Sequence, residues 1–168
     1  MTGTDQTSAV RDHDRGRIEI TLRIWHAHED PDAISKALQL APTYSYKAGD
    51  QRMTPKGRPL PSVHRETLWC HDIEVVTNAT LTQALDAMDT LLASREQQLK
   101  HLRMQGFKVE CFVGLFLDGD RTEVLTSEQM SRSTRHSIDL VLGIYAPPAE
   151  AASRGRSEDD GQAARNGL

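Results

Sequence analysis

The sequence predicts an α+β fold, with a mostly antiparallel four-stranded sheet carrying helices on one face, in a ferredoxin-like or related sandwich. Three observations lead there. Four segments alternate apolar and polar residues with the two-residue period of a strand. Three others open on helix-capping residues. The order is strand, short helix, loop, strand, long helix, strand, short helix, strand.

RIEITLRIW places Ile18, Ile20, Leu22 and Ile24 on one side and Glu19, Thr21, Arg23 and Trp25 on the other, which is a half-buried strand. Asp30 then stands where an N-cap belongs, with Pro31 at the first helical position and Asp32 near the positive end of the helix dipole. Ile34, Ala37 and Leu38 supply one apolar side, and Pro42 disfavours helix at the residue before it. KAGDQRMTPKGRPLPSVHR, residues 47–65, holds three prolines, two glycines, five Lys or Arg and one acid, and predicts a long basic loop without regular structure.

ETLWCHDIEVV is rich in β-formers, with Thr67, Trp69, His71, Ile73 and Val75 sharing a face. Thr80 and Gln83 form a capping box, and Leu81, Leu85, Met88, Leu92, Leu99 and Leu102 predict one long helix stopping at Gly106. KVECFVGLFLD sets Val109, Cys111, Val113, Leu115 and Leu117 against Phe112 and Phe116, as suits a central strand. Thr126 and Gln129 offer a second capping box, and SIDLVLGIY sets Ile138, Leu140, Leu142 and Ile144 against Val141 and Tyr145.

That alternation leaves a surplus of apolar residues on the second face of the sheet: Trp25, Phe112, Phe116, Val141 and Tyr145. Either the chain's own loop or tail folds over it, or it is an interaction face for a homodimer or a protein partner. Residues 17–146 suit one domain of this length, flanked by polar segments, 1–16 and 147–168, expected to be disordered.

A net charge of -4 exerts no global attraction on nucleic acid or anionic lipid. No apolar run suggests a signal peptide or a membrane span, so the expected setting is the cytoplasm, where Cys70 and Cys111 stay reduced.

The stretch EDPDAISKALQLAPTYSYKAGD after the first strand, Trp69 on the second, the long leucine helix, and LTSEQM ahead of IDLVLGIYA are similar to the bacterial domain of unknown function 4279 family. The similarity runs over about residues 18 to 146. The polar SRSTRHS, where the family usually has a more apolar helix, and CHD after Trp69 depart from it. The resemblance implies a compact α+β domain without an established activity, and it transfers no catalytic residue.

The residues themselves suggest little catalysis. His26 and His28 with Cys70 and His71 are the one metal-ligand combination to weigh, and without a short fixed spacing they read better as ordinary strand-end and surface residues. Asp30 and Asp32 are better explained as caps than as an acid and base pair. No catalytic residue, metal or cofactor is expected. The expected function is a non-enzymatic protein-interaction or accessory module, homodimeric or partner-neutralising. The alternatives are an anion- or nucleic-acid-binding module using Lys47, Arg52, Lys56, Arg58 and Arg65, and last a metal-dependent enzyme.

Overall fold

The computed structural model describes residues 16–117 and 122–146. In chain order its elements are β1 (Arg17–His26), α1 (Pro31–Leu38), β2 (Tyr44–Tyr46), β3 (Gln51–Met53), β4 (Pro59–Val63), β5 (Thr67–Ile73), α2 (Leu81–Ala93), α3 (Glu96–Met104), β6 (Lys108–Phe116), α4 (Ser127–His136) and β7 (Asp139–Tyr145). A five-stranded sheet runs β2-β5-β1-β6-β7, and β3 with β4 forms a separate hairpin. The segments expected to be disordered, 1–16 and 147–168, lie outside the described residues except for Gly16. No described helix is long and apolar enough to cross a membrane.

The α+β class holds, but the sheet is neither four-stranded nor purely antiparallel. β1 is antiparallel to β5 and β6, whereas β6 and β7 are parallel. The cause is α4, which lies between those two strands in sequence and carries the chain back to the end where β6 began. The fifth strand, β2, pairs Tyr44 with Cys70 and Tyr46 with Leu68. Three residues are too short for alternation to reveal.

The expected caps form. Asp30 accepts from the Asp32 amide, and the boxes at Thr80/Gln83 and Thr126/Gln129 both close. The single long helix does not form: it breaks at Ser94 and Arg95 into α2 and α3. Arg95 accounts for the break. Its Nε donates to the Leu38 carbonyl at 3.0 Å and its Nη1 to the Leu91 carbonyl at 2.7 Å, so one guanidinium serves the ends of both α1 and α2.

The core lies between the sheet and the helices. Ile20, Leu22 and Ile24 of β1 and Val109, Cys111 and Val113 of β6 meet Ile34, Leu38, Met88, Leu92 and Leu99 from the helices. Trp69 is fully buried there, and its indole donates to the Ser35 hydroxyl at 2.9 Å, tying β5 to α1. The core parity expected for the last strand holds only at its start. Ile138 is buried, but Leu142 and Ile144 are 45% and 65% exposed, because β7 is an edge strand.

Residues 47–65 are not irregular throughout. Thr54 receives a hydrogen bond from Gly57 and its hydroxyl accepts from the Arg58 amide, which closes the β3–β4 turn, while Gly57 takes the left-handed φ of 75° that the turn requires. The Gln51 side chain donates to the Leu60 and Ser62 carbonyls across the register shift. Pro59 and Pro61 are tolerated because the two-stranded hairpin has only edges.

Candidate interaction face

All core-facing strand residues point toward the helices, so the other face of the sheet is read from the opposite parity. Phe112, Val141, Phe116 and Tyr145 gather there, with Phe112 paired to Val141 and Phe116 to Tyr145 across β6 and β7. Between them Gly114 and Gly143 stand in register. A Cβ on Gly143 would lie 2.6 Å from Phe112 Cζ, and one on Gly114 would lie 3.1 Å from Phe116 Cε2. The ring edges therefore occupy the space over the two glycines. Glycine ordinarily weakens a strand, and here the covering aromatics supply the contact that it lacks.

Cations complete this surface. Arg17 sits 4.5 Å above the Phe116 ring, Arg23 lies 3.7 Å above Phe112, and Phe116 stacks on Tyr145 with centroids 4.6 Å apart. Each such contact is worth about 0.5–1 kcal/mol at an exposed site. Trp25 stands apart from the other four, at the far end of β1, where Lys108 Nζ lies 4.9 Å from its ring. Glu110 joins the two groups: it is 6% exposed, with Lys108 at 3.0 Å and Arg23 at 3.8 Å. Two charge partners offset the desolvation of that carboxylate.

The sequence reading missed part of this face. Tyr44 and Tyr46 join it through β2, beside Cys70 and Leu68. It also missed the cations, because Arg17, Arg23 and Lys108 read as ordinary solvated strand positions. The signal was available: glycine two residues from an aromatic recurs in Phe112-Val113-Gly114 and in Gly143-Ile144-Tyr145.

The metal-ligand combination does not assemble. Cys70 and His71 point to opposite faces of β5, as neighbours on a strand must. His26 Nδ1 accepts from the His28 and Glu29 amides, and its ring packs on Phe107 at 4.3 Å. Among the described residues no three His, Cys, Asp or Glu side chains gather in a ligand arrangement. Burial pushes the Cys70 thiol up to about 11 and the Cys111 thiol up to about 12, so neither is a thiolate near neutral pH.

The basic residues do not converge either. Lys47 binds Asp30 at 2.7 Å, and that hydrogen bond holds the Asp30 carboxyl below its ordinary range and raises the Lys47 ammonium. Arg52 Nη1 reaches the Ser62 hydroxyl at 3.4 Å across the hairpin, while Lys56 and Arg58 occupy its exposed tip and Arg65 is exposed beyond β4.

Residues 16–146 match the model of the domain of unknown function family DUF4279. The chain belongs to that family. The DUF4279 match covers every described strand and helix, so this face, left open among the described residues, is part of the domain itself. No curated protein matches the chain, and no solved structure does.

Proposed function

We propose that this DUF4279 domain is a non-enzymatic interaction module that binds another protein, a second copy of the chain included, through the open face of its sheet. The carrying observation is the aromatic floor laid over Gly114 and Gly143, with Arg17 and Arg23 lying on its rings. Aromatic residues and arginine are the side chains enriched where protein interfaces concentrate their binding energy. The proposed setting is the cytoplasm, which two unpaired thiols suit.

Charge favours a protein over a nucleic acid. Arg17, Arg23 and Lys108 are matched on the face by Glu19, Asp72 and Asp139, with Glu110 buried among them, so a phosphate backbone would meet no excess of cations. The anion-binding reading of Lys47, Arg52, Lys56, Arg58 and Arg65 is the weaker one, because Lys47 is already engaged by Asp30.

The test compares the purified chain with the double variant Phe112→Glu, Tyr145→Glu. Self-association is followed by sedimentation and partner capture by pull-down from the native host. Association or capture that disappears in the variant, with thermal unfolding still cooperative, supports the proposal. Association that survives both charges would place the contact elsewhere, and a chain that neither self-associates nor captures a protein would remove the proposal.

A further inference from the structure

Away from the open face, a cleft of about 450 Å³ lies where β5 runs past α2, lined by His71, Asp72, Ile73, Glu74, Ala87, Thr90 and Leu91. Its volume falls within the range of small-molecule sites, and Ile73, Ala87 and Leu91 supply an apolar wall. The polar side chains share one property. His71 Nδ1 lies 2.7 Å from the Ala41 carbonyl oxygen. A carbonyl only accepts, so Nδ1 carries the proton, and Nε2 of the neutral ring has only a lone pair to offer.

Thr90 is committed in the same sense. Its hydroxyl donates to the Asp86 carbonyl at 2.8 Å, which leaves the oxygen as an acceptor. Asp72 turns its carboxylate to the other face of β5, where Oδ1 accepts the Thr21 hydroxyl at 2.8 Å, which leaves the exposed Glu74 as the one carboxylate that the lining offers at its rim. Among the described residues no lysine or arginine lines the cleft. His71 Nε2, Thr90 Oγ1 and the Glu74 carboxylate are therefore all acceptors, beside an apolar wall.

We propose that this cleft binds a small organic cation, a primary ammonium carried on an apolar body. The ammonium brings three donors and no acceptor, matching lining side chains that accept. An anion would meet the Glu74 carboxylate without a compensating charge, and a neutral hydrocarbon would leave His71 Nε2 and Thr90 Oγ1 without the donor that they accept.

The test titrates three probes of similar shape into the full chain and follows the backbone resonances of His71, Thr90 and Leu91. The probes are 2-phenylethylammonium, 2-phenylethanol and phenylacetate. Saturable shifts with 2-phenylethylammonium, weaker shifts with the alcohol and none with phenylacetate are expected. Glu74→Gln, an exposed change that leaves the fold alone, should weaken the ammonium by roughly twofold to fivefold, the scale of one exposed ion pair. Equal shifts with phenylacetate, no saturation with the ammonium, or an affinity untouched by Glu74→Gln would each overturn the proposal. Failure here leaves the open-face reading standing, because the cleft shares no lining residue with the aromatic floor.

Discussion

The two faces of β6 are built from neighbouring residues and are held by different forces. Cys111, Val113 and Leu115 are buried against the helices, a non-directional contact that tolerates many apolar side chains of similar volume. Phe112 and Phe116 face away and are held by particular partners: glycines beneath, cations above, and a stacked tyrosine. The first face needs only hydrophobic residues of the right period. The second needs a glycine and an arginine at fixed positions, which is more than stability of a strand demands.

The sharpest way to break this comparison is a charge on each face. Leu115 is 6% exposed within the core, and Leu115→Asp should abolish the cooperative unfolding transition, since an unpaired carboxylate would be forced among apolar groups. Phe116→Asp, one residue on, should leave the chain folded by circular dichroism, with Arg17 available to the new carboxylate. Equal unfolding by both would make the open face a second core, and the interaction proposal would fail.

A smaller change tests the floor itself. Gly143→Ala places a methyl 2.6 Å from Phe112 Cζ, so the ring must tilt away. The expected cost is about 1 to 2 kcal/mol by chemical denaturation, in the range of overpacking, with any association through this face weakened as well. No change in either quantity would mean that the ring is not held by its contact with the strand.

The two cysteines sharpen the comparison further, one on each face. Both thiols are raised above their ordinary 9.0 by burial, Cys111 to about 12 and Cys70 to about 11. The unfolded chain loses these protons first, so the stability they contribute is full below about pH 9 and is lost as pH rises toward the folded values. Stability should therefore fall over about pH 9 to 12, and Cys111→Val should remove more of that fall than Cys70→Val, the difference lying above about pH 11. Iodoacetamide should label Cys70 before Cys111 in the native chain. The reverse order would contradict the burial of Cys111.

How much of this was legible follows from what each feature depends on. The parity of β1 and β6 and the two capping boxes are local patterns, and the sequence shows them directly. The break at Arg95 was hidden because it depends on the Leu38 carbonyl, far off in the chain. The parallel pairing of β7 follows from where α4 returns the chain, not from the composition of the strand. The five aromatic and apolar residues of the candidate face were legible by alternation, but the link from Trp25 to the other four was not, since it rests on Glu110 and its two cations. The acceptor-lined cleft was invisible because hydroxyl and imidazole roles are set by partners such as Ala41 and Asp86.

The smallest effect is expected on neither face. Lys56 and Arg58 stand at the exposed tip of the β3–β4 hairpin, whose turn is held by backbone groups and the Thr54 hydroxyl rather than by their charges. Lys56→Glu with Arg58→Glu should therefore change unfolding free energy by less than about 0.5 kcal/mol, as surface substitutions usually do. The same variant decides the competing reading of this loop. If the chain binds an RNA or DNA pool, that binding falls steeply with added salt, and it is lost in the variant, then the hairpin and not the sheet is the working surface. If no such binding is found, or the variant retains it in full, the tip is a solvated turn, and the aromatic floor keeps its place as the candidate site.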